Sequence, residues 1–142
     1  MVRHLLVICA VFFLLGTVAA AGDLDPQFYF DRGNDYFNSG DYAKAADAFS
    51  KVIELRPTFL TAYYNRGLTY YRKGEYDNAI IDFTKVVAAF PAKPDIYISR
   101  GLAYLRNGQY DKAIEDYSKV ISLNPSAADA YYNRGIAYAN TG

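Results

Sequence analysis

The chain has 142 residues, balances 15 basic against 15 acidic side chains, and is 52% hydrophobic and 21% charged. That composition suits one compact domain rather than a disordered chain, and a net charge of zero lacks the basic footprint of a nucleic-acid binder. The single cysteine, Cys9, and the single histidine, His4, lie at the very N-terminus.

Residues 1–21 differ from everything that follows. Met1 to His4 make a short basic start, Leu5 to Leu15 are almost purely apolar, and Ala19-Ala20-Ala21 offer small residues to a signal peptidase. The segment is expected to be a signal peptide cleaved after Ala21, which makes the protein exported, periplasmic or secreted. The alternative is an uncleaved anchor, since the apolar run is near the lower length limit for spanning a bilayer. The membrane would then be reached only through this segment. Lipidation at Cys9 fits poorly, because bulky Val7 and Ile8 precede it and the apolar run continues beyond it.

Cleavage removes Arg3 and leaves 14 basic against 15 acidic residues, a net charge of −1. It also removes every thiol and imidazole, so no disulfide, Cys/His metal site or Ser-His or Cys-His nucleophile pair is open to the mature chain. No GxGxxG, P-loop or HExxH pattern occurs. The expectation is a protein that is not an enzyme, with no catalytic residues, no metal and no cofactor.

After a polar lead-in at 22–25, the chain reads as alternating short helices. The expected helices are 27–38 (with Pro26 at its start), 41–55, 60–72, 75–89, 95–106, 109–123 and 127–139. Gly-containing turns follow every first helix, and Pro57, Pro91 and Pro125 break every second one. Ser126 is the expected N-cap of the last helix. The connections are short, so successive helices are antiparallel.

One period governs all of this. Gly33, Gly67, Gly101 and Gly135 stand 34 residues apart, each preceded by arginine (Arg32, Arg66, Arg100, Arg134). An aromatic comes four residues before each glycine (Tyr29, Tyr63, Tyr97, Tyr131) and another three after it (Tyr36, Tyr70, Tyr104, Tyr138). The second helices carry Tyr42/Ala45/Phe49, Tyr76/Ala79/Phe83 and Tyr110/Ala113/Tyr117. A mid-helix glycine costs about 0.5–1 kcal/mol relative to alanine, so its recurrence marks a place where helices approach closely.

On these columns the chain resembles a tetratricopeptide repeat array from Pro26 to Gly142. The resemblance implies an all-α fold, a right-handed superhelical solenoid of antiparallel helix pairs, with about three and a half repeats. The repeats occupy 26–59, 60–93 and 94–127, with the first helix of a fourth at 128–142. It also implies a concave groove lined by the first helices, where the partner, another protein or a peptide, would bind. The groove positions are Phe30, Asn34 and Phe37; Tyr64, Asn65, Leu68 and Tyr71; Ile98, Leu102 and Leu105; and Tyr132, Asn133 and Ile136. Twelve of the 15 tyrosines occupy the repeating framework, and the other three, Tyr64, Tyr71 and Tyr132, all fall in this set. Tyrosine offers a rigid, half-apolar contact surface with a hydroxyl handle, and the competing use of such a stripe is packing on neighbouring helices.

Chaperone-binding members of the family hold a C-terminal carboxylate in a clamp of lysines, asparagines and an arginine. Asn34 and Asn65 match its asparagines, but Phe30, Asp95 and Ser99 stand at its basic positions, so that mode is rejected. The arginine before each glycine is expected to pair with acids on the second helices, such as Asp82 or Asp116, rather than to form a ligand ladder. The last helix, with Ile136, Ala137 and Tyr138, looks too apolar for a solubilising end. Homo-oligomerisation through it is therefore a possible role, alongside carriage of an apolar ligand or lipid. The leading function is a non-catalytic protein-interaction scaffold in an exported compartment.

Overall fold

The structure, a computed structural model, describes residues 25–142, and the signal-peptide, anchor and cleavage readings lie outside the described residues. Seven helices follow in order: α1 (Pro26–Asn38), α2 (Tyr42–Leu55), α3 (Leu60–Lys73), α4 (Tyr76–Ala89), α5 (Pro94–Arg106), α6 (Tyr110–Leu123) and α7 (Ala128–Thr141). Among the described residues there is no strand, and no helix is long and apolar enough to cross a membrane. Each helix packs on its neighbours in the chain, and α1 also meets α3 as α5 meets α7. This is an all-α solenoid of three helical hairpins and one further helix.

The turn inside each hairpin is a helix-ending glycine in the left-handed region. Gly40, Gly74 and Gly108 have φ of 80°, 80° and 72°. In the second turn the Gly74 N–H donates to the Tyr71 carbonyl at 3.1 Å and the Glu75 N–H to Tyr70 at 2.9 Å. That pair of bonds satisfies carbonyls the helix itself leaves open. Between hairpins, Arg56, Phe90 and Asn124 close the second helices in non-helical conformations, as expected for residues preceding proline.

Helix starts differ from the sequence expectation by one residue, except that α3 begins at Leu60 as expected. Asp41, Glu75 and Gln109 are caps rather than first turns. Of these three, only Asp41 caps with its side chain, accepting from the Lys44 N–H at 3.2 Å. The longer Glu75 side chain instead meets Lys73 at 2.6 Å, and Gln109 accepts from Lys112 Nζ at 2.7 Å. Ser126 is not the cap of α7: its N–H and hydroxyl both bind Asn124 Oδ1, and Ala127 holds the cap position. Asn124 wins because its amide oxygen reaches two residues forward and closes the turn itself.

The core is built from the repeating columns. Ala45, Ala79 and Ala113 are fully buried, as are Phe49, Phe83 and Tyr117, and Val52, Val86 and Val120 are nearly or fully so. The glycines take the rings edge-on. A Cβ on Gly33 would lie 2.6 Å from the Phe49 ring, one on Gly67 2.8 Å from Phe83, and one on Gly101 3.0 Å from Tyr117. At Gly135 nothing stands within 4 Å. In α7, Ala130 and Ala137 are buried while Tyr131, Tyr132 and Tyr138 are exposed, so Ala137 belongs to the core and not to the apolar outer face expected for it.

Candidate functional site

The arginine column shows how the scaffold is pinned. Arg66 grips Asp82 with two bonds of 2.8 Å and donates a third, 3.0 Å, to Ser50 of the preceding hairpin. Arg100 repeats the arrangement with Asp116 at 2.9 and 2.7 Å and Thr84 at 3.2 Å. Both guanidinium groups are held above their ordinary pKa, chiefly by the hydrogen bonds they donate to these aspartates. Arg66 also lies over the Tyr63 and Tyr70 rings and Arg100 over Tyr97 and Tyr104. The ends of the column differ. Position 48 is alanine, and Arg32 rests on Phe28 and Tyr36, hydrogen-bonding the Tyr36 hydroxyl. Among the described residues Arg134 reaches only Ser118, at 3.1 Å, and the Tyr131 ring.

With the arginines fixed in packing, the candidate binding face is the one formed by the first helices. Two hollows open there. One, about 210 Å³, is lined by Asn34, Phe37, Asn65 and Leu68 with the Phe49 ring. The other, about 440 Å³, is lined by Leu102, Leu105, Tyr132, Asn133 and Ile136, together with Arg106, Tyr110 and Asn140. Asn34, Phe37, Asn65 and Leu68 occupy the same repeat columns as Leu102, Leu105, Asn133 and Ile136, two repeats on. The hollows are thus the same structural position, met twice along the array.

Nine of the thirteen sequence-expected residues line these hollows. The other four are half-buried and engaged in packing. Phe30 lies against Phe49 and Phe59, with ring centroids 5.8 and 5.0 Å away. The Tyr64 ring stands 5.7 Å from Phe83, and its hydroxyl meets Ser99 Oγ at 3.1 Å. Ser99 itself donates to the Asp95 carbonyl at 3.0 Å, which leaves it to accept from Tyr64. The Tyr71 ring lies tilted against Tyr76 with centroids 5.6 Å apart, and the nearby Tyr71 hydroxyl holds the Arg106 guanidinium above its ordinary pKa. Ile98 packs on the buried cluster around Ile96, Tyr97 and Tyr117. Arg106, Tyr110 and Asn140 were not anticipated; two of them are polar residues near helix ends, which carry no periodic apolar signal.

Polar chemistry in the hollows is amide chemistry. Asn65 Nδ2 donates to Asn34 Oδ1 at 3.0 Å, leaving both N–H groups of Asn34, and one N–H and the Oδ1 of Asn65, for another polypeptide's backbone. Among the described residues no group of three His, Cys, Asp or Glu side chains could hold a metal ion. Phe30, Asp95 and Ser99 put no cation beside the asparagine pair, so a terminal carboxylate finds no countercharge there.

Comparison with known proteins follows the same columns. The sequence matches the tetratricopeptide repeat family over residues 30–94 and again over 83–115, and a TPR repeat model over 103–142. Among solved structures, MamA (residue 41 to the end) from Desulfovibrio magneticus RS-1 is similar at 32% identity and a TM-score of 0.79, covering 83% of this chain and 67% of that one. The first TPR domain of Spaghetti (RPAP3), solved bound to the HSP90 peptide SRMEEVD, matches at 25% identity and a TM-score of 0.74 over 82% of this chain and 93% of that one. The second TPR domain of human RPAP3, in complex with the HSP70 peptide SGPTIEEVD, shares the fold at 23% identity and a TM-score of 0.72, over 80% of this chain and 98% of that one. No curated protein matches the sequence.

Proposed function

The chain belongs to the tetratricopeptide repeat family, and on that premise we propose that it is a non-catalytic scaffold that holds a segment of another protein along its first helices. The observation that carries this reading is the pair of equivalent hollows, each combining leucine, phenylalanine or isoleucine side chains with an asparagine amide. An apolar anchor with a neighbouring backbone amide suits such a hollow, and two hollows in register suit an extended or helical segment bearing two anchors. A relative of this fold is solved with a peptide bound, which supports a peptide ligand. Its acidic C-terminal type of ligand does not carry over, because the cations for it are absent here.

The test is a peptide-display selection on the mature chain, repeated on Tyr132→Ala and Leu102→Glu after circular dichroism has verified their helicity. Ligands selected on the unaltered protein should bind either variant at least about tenfold more weakly, the loss expected when one anchor contact is removed. Undiminished binding to both would place recognition elsewhere on the molecule.

Export forms part of the proposal. It rests on the basic start, apolar run and small residues of the segment 1–21. The intact mass of the protein recovered from its native source tests it: a mature chain beginning at Gly22 supports export, and a retained Met1–Ala21 segment points to the anchor.

A further inference from the structure

The turn between α5 and α6 carries a dipeptide found nowhere else in the sequence, Asn107-Gly108. The equivalent positions in the first two hairpins are Ser39-Gly40 and Lys73-Gly74. Glycine leaves its own backbone nitrogen unshielded, so that nitrogen can reach the side-chain carbonyl of a preceding asparagine. The other asparagines precede bulkier residues, and Asn34, Asn65, Asn78 and Asn133 lie within helices, whose hydrogen-bond ladder holds the next nitrogen in place. Asn107 instead closes α5 as its C-cap. Gly108 is exposed, has φ of 72°, and binds the Leu105 carbonyl through its N–H at 3.2 Å. Gly40 and Gly74, each with a further hairpin packed behind it, are exposed as well, so the accessibility belongs to the turn and not to the end of the chain.

One contact restrains the asparagine. Asn107 Nδ2 donates to Asp77 Oδ1 at 2.7 Å, across the seam between the second and third hairpins. The contact is particular to these residues: one hairpin earlier the same two columns hold Lys73 and Ala43. We propose that Asn107-Gly108 is a site of spontaneous deamidation in the folded protein, restrained by Asp77, and that its products open the seam between these hairpins. The Gly108 nitrogen bonds to Asn107 Cγ, the Cγ–Nδ2 bond breaks, and Nδ2 leaves as ammonia with the Gly108 proton. Water then adds to either carbonyl of the succinimide ring, giving aspartate or isoaspartate at 107. Asp77 slows ring closure because its hydrogen bond holds the amide on the neighbouring helix and must break first. Both products undo the seam. Aspartate sets two carboxylates where a donor met an acceptor, and isoaspartate also lengthens the main chain by a methylene just before the left-handed glycine. Leu105, Arg106 and Tyr110, which line the larger hollow, flank this turn, but the reaction does not depend on what that hollow binds.

The test is storage of the purified protein in mildly alkaline buffer, followed by peptide mapping with mass spectrometry and chromatographic separation of aspartate from isoaspartate. A synthetic peptide of residues 103–113 serves as the unfolded reference. Conversion is expected at Asn107 ahead of every other asparagine, and more slowly than in the peptide. It should run about tenfold faster in Asp77→Ala, the factor for losing a hydrogen bond to a charged group. Asp77 is exposed, so this variant disturbs no core, and circular dichroism verifies its helicity beforehand. Asn107→Gln keeps an amide for Asp77 but needs a larger, slower-forming ring, and should stay intact. Asn107→Asp, the product made directly, should melt below the unaltered protein. Asp77→Asn in that background should restore the midpoint by returning a donor to the pair, which separates charge repulsion from a merely structural role for the turn. Three outcomes would each overturn the inference: an Asn107 still intact after storage that converts the peptide many times over, a rate indifferent to Asp77→Ala, or Asn107→Asp melting like the unaltered protein.

Discussion

Tyr117 stands in a column that holds phenylalanine in the two preceding hairpins, and the difference is one oxygen atom. Its side chain is fully buried, and among the described residues its hydroxyl has no hydrogen-bond partner. Burial pushes the phenol well above its usual pKa. An unpaired buried hydroxyl costs about 1–3 kcal/mol of desolvation, whereas the ring keeps its packing without it. Tyr117→Phe is therefore expected to raise stability by about 1 kcal/mol and the melting temperature by a few degrees. A lower melting temperature would reveal a partner for the hydroxyl. Asp116, next in the chain, tells a related story. Burial raises its carboxyl pKa in spite of the Arg100 fork, so desolvation outweighs attraction at this site. Arg100→Met alone should then cost about 3–5 kcal/mol by stranding a buried carboxylate, while Arg100→Met with Asp116→Leu should fall within about 1 kcal/mol of the unaltered protein. Urea melts of the single and double variants decide it, and equal losses in both would show that the pair is net stabilising. The sequence spacing alone placed these arginines beside their acids. It gave no sign of the orphan hydroxyl, because tyrosine and phenylalanine are equivalent in a periodicity.

At the scale of the element, the α2 cap has a titrating side chain in its lock. The Asp41 carboxyl is held below the ordinary range, first by the Lys44 side chain at 2.6 Å and then by the Lys44 N–H. A carboxyl depressed on folding adds stability that is present above its unfolded value, near pH 4, and is lost as the pH falls through the lower folded value. Asparagine caps helices as well as aspartate does but does not titrate. The midpoint difference between the unaltered protein and Asp41→Asn should therefore be visible near pH 6 and close by about pH 2. A difference that persists in acid would mean that the charge is not its source. The helices themselves were legible, since glycine, proline and the aromatic columns punctuate them on a fixed period. Their starting residues were less so: Glu75, Gln109 and Ser126 carry cap-like chemistry in sequence, but their side chains bond elsewhere.

For the molecule as a whole, burial is unequal along the array. Helices α2, α4 and α6 lie between two first helices and hold the fully buried rings, whereas α7 buries only Ala130 and Ala137. In such one-dimensional stacks each unit is stabilised by its neighbours alone. Amide hydrogen exchange in the 142-residue protein should accordingly be slowest in α4 and α6 and fastest in α7. Uniform protection would mean that a partner or a second copy covers α7. The candidate binding face was only partly legible at this scale. Residues one step round the helix from a framework column sit at the boundary between packing and solvent. Which side they fall on depends on the neighbouring hairpin: Ser99 draws in Tyr64, while Tyr132, in the same column as Tyr64 and Ile98, stays 71% exposed.

Arg66 and Arg100 each reach forward to an acid and backward to a hydroxyl, and both partners lie sixteen residues away. Such stitches count residues. Adding or deleting a single position between Ser50 and Asp82 would shift one thread of the seam while leaving the other in place. Removing a block of thirty-four would rejoin every thread to an equivalent one. Lineages carrying this chain should therefore differ in length by whole repeats, with odd-sized insertions confined to its two ends.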